Sequence, residues 1–522
     1  MRSRSTVLAV LAGLLLVLSG CTSFTESMTA SGTAAASSPA KPTEKAAPIK
    51  WSDCSEQIKP LIAGQAGADR PLTFECGRTE VPISYDEPDG ATLPLFLVRV
   101  KSATQTDRIG SLVINPGGPG ESGVESALSL LPSLPQEVKE RFDIVGFDPR
   151  GVASSSPAVW CNSDADNDRL RAIPQVDYSE EGVAEIEAET KAFVKRCEDK
   201  MGKEFLANVG TVNVAKDLDA IREAVGDEKL NYLGYSYGTR IGAAYAEQFP
   251  DRVRAMILDG AVDPNADPTE ANVRQAAAFQ TAFNDYAADC AKSPDCPLGT
   301  DPAKAVDEYH ALVDPLVENP LKTRDPRGLS YSDAVVGTIL PLYSPNLWRH
   351  LTQALKEMRE GRGDTMLALA DLYMGRDQEG HYNNSTDARV AINCVDKPAI
   401  TDRAKVVEED RRVREAAPFL SYGEFTGHAP LGTCAFWPVP PTSEPHELEV
   451  EGLPPTLVVS TTNDPATPYQ AGVELAKQLG GALVTYEGTQ HTVVFQGDQC
   501  IDDIATRYLL DLELPPPDTR CS

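Results

Sequence analysis

Histidine is scarce in this sequence, and its placement limits the chemistry that the chain can perform. The 522 residues include six histidines, the first of which is His310. No H-E-x-x-H and no C-x-x-C pattern occurs, so the sequence gives little support to a zinc site. We therefore expect neither a metal nor a cofactor.

Basic residues are also few. The 48 Lys and Arg stand against 77 Asp and Glu, which gives a net charge of −29 at pH 7. Nucleic-acid binding needs clustered Lys and Arg to neutralise phosphates, so we expect no nucleic-acid partner. The same balance disfavours adsorption to anionic lipid, and its simplest meaning is solubility outside the cell.

Beyond the first twenty residues, no segment is apolar and long enough to span a bilayer. Arg2 and Arg4 precede the apolar run Val7–Leu18, which is the pattern of an export signal over residues 1–20. The sequence L-S-G-C that ends at Cys21 is a lipobox, which predicts cleavage before this cysteine and a diacylglyceryl group on its thiol. A plain signal peptide, or an uncleaved anchor with an accidental cysteine, is the alternative.

Residues 21–48 are rich in Ser, Thr, Ala and Pro and cannot bury enough apolar surface to fold, so after the lipidated cysteine they are predicted to be a flexible tether. We expect an exported protein held at the cell membrane, in the cell envelope, through its lipid anchor only.

Ten of the 11 cysteines remain after Cys21, an even number in a chain bound for an oxidising compartment. They fall into couples that are near in sequence, so we expect neighbour-with-neighbour disulfides. The expected pairs are Cys54–Cys76, Cys161–Cys197, Cys290–Cys296, Cys394–Cys434 and Cys500–Cys521.

Hydrophobic residues make up 41% of the chain and charged residues 24%, which is typical of a globular protein with a sizeable core. Apolar runs followed by helical patterns predict an α/β-hydrolase fold: a mostly parallel sheet with helices on both faces. We expect a core over 49–260 and 454–522, interrupted by a helical cap over 261–453. The predicted strands are Leu93–Val100, Ser111–Ile114, Phe142–Phe147, Leu230–Leu233, Val253–Leu258, Thr456–Ser460 and Ala482–Tyr486.

The motif G-x-S-x-G directly follows the predicted strand Leu230–Leu233, with Ser236 at its centre. A helical pattern comes after it. Flanking glycines permit the tight turn that exposes a serine hydroxyl at a helix N-terminus, so the motif predicts a nucleophile elbow. An ordinary serine in a glycine-rich turn is the alternative.

A serine hydroxyl needs a base, and no histidine precedes Ser236. The nucleophile therefore comes before the base along the chain, as in α/β hydrolases. This excludes the chymotrypsin and subtilisin orders of the triad residues. His491 follows the predicted strand Ala482–Tyr486 and is the expected base. The other five histidines lie in the insertion or at its edge, and we expect them to be ordinary polar residues.

Asp464 is the expected acid, because it lies between the serine and the histidine and follows another predicted strand. The rigid sequence Pro465-Ala-Thr-Pro468 comes next and would present the carboxylate at the same edge of the sheet. An Asp-Pro turn without a catalytic role is the alternative.

The glycine-rich loop Asn115-Pro-Gly-Gly-Pro-Gly120 follows the strand Ser111–Ile114. We expect it to form the oxyanion hole, with the amides of Gly118 and Tyr237 as donors. A phosphate cradle is disfavoured, because G-x-x-x-x-G-K is absent and proline removes amides. The sequence Phe147-Asp-Pro-Arg-Gly151 is interpreted as a structural turn stabilised by an Asp148–Arg150 pair.

With these motifs the chain resembles the bacterial secreted tripeptidyl aminopeptidases and prolyl aminopeptidase-like α/β hydrolases, which include cell-envelope serine proteases. The resemblance implies a hydrolase core with a helical cap, a C-terminal segment like that of tripeptidyl aminopeptidases, and hydrolysis of peptides and small esters. It assigns the triad to Ser236, Asp464 and His491. The motifs that carry it are Asn115–Gly120, Gly146–Gly151, Gly234–Gly238, Ala391–Cys394 and Asp464–Pro468.

Two further residues receive substrate-side roles. The resemblance places Thr467 next to the catalytic acid as an active-site neighbour. Asp396 is the expected cap carboxylate for a substrate's amino terminus, with an ordinary surface carboxylate as the alternative. Pro116 stands where relatives that release single prolines commonly have histidine, which argues against strict proline specificity.

Three functions remain open on the sequence. The first is a peptidase acting on peptides or proteins of the cell envelope, from the amino terminus or within the chain. The second is a carboxylesterase or lipase, since one triad attacks both carbonyl types. The third is an inactive hydrolase scaffold that binds a ligand, against which the ordered triad counts strongly.

Overall fold

The computed structural model describes residues 47–59, 62 and 72–522. Their strands form one sheet in the order β1-β2-β3-β5-β4-β6-β7-β8-β9-β10. The strands are β1 (Ser52–Asp53), β2 (Leu72–Pro82), β3 (Thr92–Ser102), β4 (Gly110–Asn115), β5 (Phe142–Phe147), β6 (Leu230–Tyr235), β7 (Val253–Asp259), β8 (Leu457–Thr461), β9 (Ala482–Tyr486) and β10 (Arg520–Cys521).

Helices cover the sheet and fill the long segment between β7 and β8. The α-helices are α1 (Ser55–Ile58), α2 (Gly123–Leu130), α3 (Gln136–Arg141), α4 (Asp164–Arg171), α5 (Glu180–Met201), α6 (Lys203–Ala207), α7 (Thr211–Ala224), α8 (Tyr237–Gln248), α9 (Pro268–Cys290), α10 (Ala305–Val313), α11 (Tyr331–Leu342), α12 (Trp348–Arg359), α13 (Asp364–Tyr373), α14 (Ser385–Asp396), α15 (Arg403–Ala416), α16 (Tyr469–Leu479) and α17 (Gln499–Asp511). Short 3₁₀ helices lie at Pro250–Arg252, Pro302–Lys304, Asp314–Val317, Pro345–Leu347, Pro418–Leu420 and Thr433–Phe436.

The sheet is parallel from β5 through β4, β6, β7, β8 and β9 to β10, and antiparallel at the β1-β2-β3 edge. This confirms the predicted α/β-hydrolase fold. Strand β2 (Leu72–Pro82) was not predicted, because its sequence lacks a continuous apolar run. In this strand exposed and buried residues alternate, as they do in an antiparallel strand with one solvated face.

The segment between β7 and β8 is helical and has a hydrophobic cluster of its own. The apolar face of α9 lies in it, with Phe283 stacked on Phe419 at 4.6 Å between ring centroids. Helix α14 behaves differently, since Ala388, Ile392 and Val395 belong to the cluster beside the sheet. This last part of the insertion therefore packs on the hydrolase core and brings polar side chains to it. The predicted boundaries at 260 and 453 remain predictions.

All five expected cysteine pairs are bonded, with S–S distances between 2.00 and 2.13 Å. The predicted signal peptide 1–20, the lipidated Cys21 and nearly all of the tether lie outside the described residues. In the part of the chain that is described, no helix has both the length and the apolar character needed to cross a membrane.

The prediction of an Asp148–Arg150 ion pair is wrong, because each of the two residues has other partners. Asp148 accepts hydrogen bonds from the Ser122 hydroxyl and the Ser154 amide, and burial raises its pKa to about 6. Arg150 instead pairs with Asp217 on α7, at 2.6 and 2.7 Å between nitrogen and oxygen atoms. Both side chains are completely buried. The two residues of the turn have partners in different segments, so sequence proximity does not bring them together.

Arg150 ties three segments together, because its guanidinium also donates to the carbonyls of Pro82, Ile83 and Asn208. Removing one partner of a buried ion pair leaves the other charge uncompensated. We therefore expect Asp217→Asn to lower the free energy of unfolding by about 3–5 kcal/mol, measured by urea denaturation with the disulfides intact.

The matched control is Asp199→Asn, which breaks an exposed pair with Lys195. Its urea midpoint should stay near that of the unsubstituted protein, since exposed pairs contribute little. Equal midpoints for the two variants would contradict a structural role for Asp217.

Candidate active site

Ser236 occupies a sharp turn between the end of β6 and the start of α8. Its backbone has φ 53° and ψ −126°, a conformation that residues other than glycine rarely adopt. The Ser236 amide donates to the Asp259 carbonyl at 2.9 Å, which continues the pairing of β6 with β7. The turn is the nucleophile elbow that the sequence predicted, and it presents the serine at the positive end of α8.

Close backbone contacts explain the glycines around this turn. A Cβ on Gly234 would lie 2.6 Å from the Gly238 carbonyl oxygen, and one on Gly238 would lie 2.7 Å from the Asn115 carbonyl oxygen. Gly117 has φ +94°, and its Cβ would lie 2.7 Å from the Tyr237 amide nitrogen. The glycine-rich loop therefore lies directly against the elbow.

Gly118 and Tyr237, the two expected oxyanion donors, border one pocket together with Ser236. Backbone amides at this position can stabilise negative charge that develops on a substrate carbonyl oxygen. The structure thus brings the predicted oxyanion loop and the predicted nucleophile to the same cavity.

Asp464 holds His491 by a two-oxygen contact, since Nδ1 of the histidine lies 2.9 Å from both carboxylate oxygens. The carboxylate is itself fixed by the amides of Ala466 and Thr467, each at 2.8 Å. Its side chain is fully buried, whereas that of His491 is 10% exposed. A carboxylate in this position orients the imidazole and stabilises the imidazolium form.

Thr467 contacts both residues. Its hydroxyl donates to Oδ2 of Asp464 at 3.0 Å and lies 3.3 Å from Nδ1 of His491. The residue also borders the pocket. Its main contribution here is to hold the acid, which agrees with its expected place beside Asp464.

The histidine is held from two further directions. Its amide donates to the Tyr343 carbonyl at 2.8 Å, and the two rings meet edge to face at 5.3 Å. A Cβ on Gly260, the residue after β7, would lie 3.2 Å from Cε1 of His491. The base therefore lies beside the end of β7, next to the strand that carries the nucleophile. Two of the other histidines have carboxylate partners elsewhere, Asp164 for His381 and Glu247 for His446.

Asp259 is a residue of the site that was not predicted from the sequence. It ends β7, is fully buried, and accepts hydrogen bonds through Oδ2 from the amides of Val493 and Val494 in the histidine loop. Its Oδ1 has no hydrogen-bond partner among the described residues. A charged residue at the end of the apolar run Val253–Leu258 was the signal that could have revealed it.

Two carboxylates act on the basicity of His491. Burial lowers its pKa, but the charge of Asp464, the hydrogen bond to it and the charge of Asp259 outweigh burial and leave the pKa raised. Burial also raises the pKa of Asp259, to about 7, although the loop amides and His491 oppose this. Asp259 therefore gains its charge near neutral pH, and above that pH it adds to the charge of Asp464 beside the imidazole.

Asp396 does not have the contacts expected of a site for a substrate's ammonium group. It is 2% exposed, and its Oδ1 accepts from the Thr211 amide at 2.7 Å. Its Oδ2 accepts from the hydroxyls of Thr211 and Tyr237 at 2.5 and 2.8 Å. The carboxylate thus joins the N-terminus of α7 to Tyr237, the residue whose amide is an expected oxyanion donor. The sequence could not show this, because Thr211 lies 185 positions away.

The pocket beside Ser236 has a volume of about 350 Å³ and is lined from both sides. The core contributes Gly118 and Tyr237, and the helical insertion contributes Asn272, Tyr343 and Arg389. Helices of the insertion therefore close over the carboxyl ends of the strands. A cluster of possible metal ligands lies elsewhere, at Asp498, Cys500 and Cys521, but both sulfurs belong to a disulfide.

The contacts of Asp396 predict a positioning role that acts through Tyr237. We expect Asp396→Asn to lower kcat about tenfold to hundredfold with little change in KM, because an oxyanion donor is displaced while substrate binding is kept. Steady-state kinetics on one peptide substrate measure this split.

Asp387→Asn is the matched control, since Asp387 is also a buried acid of α14 but accepts from the amides of Cys161 and Asn162. It should leave kcat near the original value. A rise of KM alone in Asp396→Asn would instead favour the ammonium site.

The position of Asp259 predicts a pH effect. His491 must be neutral to act as a base, so kcat/KM should fall as the pH decreases through its raised pKa, above 6.5. In Asp259→Asn a negative charge is lost, the imidazolium is less stable, and the acid limb of the pH profile should move to lower pH.

The control is Asp502→Asn, which removes the acid that accepts from the Phe495 and Gly497 amides of the same loop. Its acid limb should stay in place. A limb that stays fixed in Asp259→Asn, with unchanged thermal stability, would show that Asp259 does not act on the base.

Comparison with known proteins agrees with this geometry. Residues 110–498 match the family model described as alpha/beta hydrolase fold. Serine protease Hip1 of Mycobacterium tuberculosis is 67% identical over 481 residues, covering 91% of each chain. Carboxylesterase B of the same species is 50% identical, covering 90% of this chain and 89% of its own. Tripeptidyl aminopeptidase of Streptomyces lividans is 30% identical, covering 91% and 86%. The chain therefore belongs to the α/β-hydrolase family and is a serine hydrolase similar to serine protease Hip1.

Proposed function

We propose that the protein is a peptidase that works through an acyl-enzyme on Ser236. His491 removes the proton of the serine hydroxyl and later delivers it to the leaving amine, while Asp464 holds the imidazole. The amides of Gly118 and Tyr237 bind the oxyanion. The observation that carries the proposal is the buried carboxylate with both oxygens 2.9 Å from Nδ1 of His491, beside a strained serine turn.

The substrates we propose are peptides or proteins of the cell envelope, cut near a free amino terminus. Support comes from the names of two relatives, a serine protease and a tripeptidyl aminopeptidase. A pocket of about 350 Å³ below helices also suits the end of a chain better than its middle. Both oxygens of Asp396 already accept hydrogen bonds from the protein. Asp263 is therefore the acidic lining residue that we propose for contact with an ammonium group.

The place of action that we propose is the cell envelope, after export and lipid attachment at Cys21. The evidence is the N-terminal sequence pattern. Five disulfides are consistent with an oxidising compartment. Mass spectrometry of the membrane fraction tests this, and an unmodified thiol at Cys21 in the mature protein would contradict the lipid anchor.

A carboxylesterase is the second candidate. Carboxylesterase B, at 50% identity, is the observation that favours it. The same triad and oxyanion hole attack esters and amides, so the geometry of the reacting groups supports both.

Labelling with a fluorophosphonate tests the nucleophile. The purified protein should react, and Ser236→Ala should not. Turnover in Ser236→Ala and in His491→Ala should fall by about four orders of magnitude or more with unchanged thermal unfolding, because the triad acts as a unit. Activity of His491→Ala within tenfold of the original protein would overturn the assignment of the base.

Substrate pairs then separate the functions. We expect peptides with a free amino terminus to be cleaved with higher kcat/KM than their acetylated forms. Equal rates would favour an endopeptidase. Rapid release of nitrophenol from nitrophenyl esters, with no cleavage of any peptide by a protein that still reacts with fluorophosphonate, would favour the esterase.

A further inference from the structure

The active-site pocket is cationic although the chain is strongly acidic. Its lining includes Arg240, Arg274, Arg389 and Lys397, against the carboxylates of Asp263 and Asp396. The whole chain has a formal net charge of −29. Four cations against two carboxylates are therefore the reverse of the balance elsewhere in the molecule.

Of the two carboxylates of the lining, Asp396 is engaged through both oxygens and Asp263 through one. Asp396 has its hydrogen bonds inside the protein and lies 3.8 Å from Nε of Arg240. Oδ1 of Asp263 accepts from the Asn265 amide and the Gln478 side chain. Most of the positive charge in the pocket is therefore not cancelled by its own acids.

Three of the four cations have no counter-ion in direct contact. Within the described part of the chain, no carboxylate oxygen lies within 4.0 Å of the charged nitrogens of Arg274, Arg389 or Lys397. The contacts of Arg389 are weaker than an ion pair. Its guanidinium lies 5.8 Å from the centroid of the Tyr373 ring. Its charge also opposes the rise that burial causes in the pKa of Glu121.

Arg389 and Lys397 belong to one stripe of α14 and its C-terminal cap. With Asn393 between them, they are spaced four residues apart, so all three lie on the same face of the helix. The stripe is about 12 Å long. A Cβ on Gly120 would lie 3.0 Å from the Arg389 amide nitrogen, so one end of the stripe is beside the glycine-rich loop. Asp396 places the other end beside Tyr237.

The surroundings of Lys397 make the binding of an anion at the stripe favourable. Burial lowers its pKa and the nearby Arg240 charge adds to this, whereas Glu409 and Asp396 act in the opposite direction. An ammonium group that is shielded from water and has no paired carboxylate is costly unless a bound anion compensates it. A substrate that brings a carboxylate supplies this compensation.

We propose that Arg389, Asn393 and Lys397 form a carboxylate-binding site in the active-site pocket, so that the enzyme prefers substrates with a negative charge next to the scissile bond. The side chains of Arg389 and Lys397 pair with the carboxylate, and the side-chain amide of Asn393 donates a hydrogen bond to it. The carboxylate belongs either to an acidic side chain of the peptide or to its C-terminus. For peptides the inference rests on the proposed function, but the site itself requires only the pocket.

Matched substrates test the preference. Peptides of one sequence and one set of termini differ only by Glu or Gln at each position around the scissile bond. A second series carries Gln throughout and differs by a free or an amidated C-terminus. We expect about a tenfold higher kcat/KM for the charged member in one of the series, decreasing as salt is raised. The series that responds identifies the source of the carboxylate.

Two variants connect the preference to the stripe. In Arg389→Gln and Lys397→Gln the ratio of kcat/KM between the charged substrate and its uncharged partner should fall to about threefold or less, mainly because the KM of the charged substrate rises. Lys405→Gln is the control, since it removes the same charge from an exposed residue of α15 outside the pocket. It should keep the full preference.

An ester pair separates this inference from the proposed function. Mono(4-nitrophenyl) adipate carries a carboxylate that its methyl ester lacks. If peptides are not cleaved but the charged ester is preferred through Arg389 and Lys397, the peptidase proposal fails and the site stands. Equal rates within every charged and uncharged pair, or a preference that both variants retain, would overturn the site even if peptides are cleaved.

Discussion

The register of the parallel strands is the constraint on which the rest of the site depends. Asn115 is paired with Gly234, and Asp259 is paired with both Tyr235 and Val459, so β4, β6, β7 and β8 end at one level. The oxyanion loop, the nucleophile turn and the loop of the acid start from these ends. A shift of one strand by one residue would turn its side chains to the opposite face and would separate these groups. The close glycine contacts around the elbow leave no room for such a shift.

Three buried carboxylates share the work of positioning, and the differences between them arise from their partners. Asp464 faces the imidazole directly. Asp259 holds the backbone of the histidine loop and adds a second negative charge beside the ring. Asp396 fixes Tyr237 on the oxyanion side. Burying a carboxylate is costly unless it accepts several hydrogen bonds, and each of the three accepts at least two from the protein. The site is therefore held in place before a substrate arrives, which is the condition for electrostatic stabilisation of a transition state.

The helical insertion is part of the active site as well as its roof. Its Tyr343 carbonyl accepts from the amide of the catalytic histidine, and Gln275 donates to the Ala466 carbonyl in the loop of the acid. Helix α14 goes further, because its apolar side packs on the core while its polar side lines the pocket. Movement of the insertion would thus displace the loops that carry His491 and Asp464. The contrast between an acidic chain and a cationic pocket follows in part from the same helix, which together with its C-terminal cap residue supplies Arg389 and Lys397 to the lining.

The sequence by itself determined the fold and pointed to Ser236, Asp464 and His491, of which the structure places Asp464 against His491. These signals are local: a turn motif bounded by glycines, apolar runs, and the order of serine, aspartate and histidine along the chain. It also gave the correct disulfide pairs, because the partners are near in sequence. It failed where a contact joins distant segments. Arg150 meets Asp217 rather than its neighbour Asp148, and Asp396 meets Thr211 and Tyr237 rather than the solvent of a cap. Asp259 and the cationic stripe were missed for the same reason. The role of a charged side chain depends on which groups surround it once the chain is packed, and only the tertiary structure decides that.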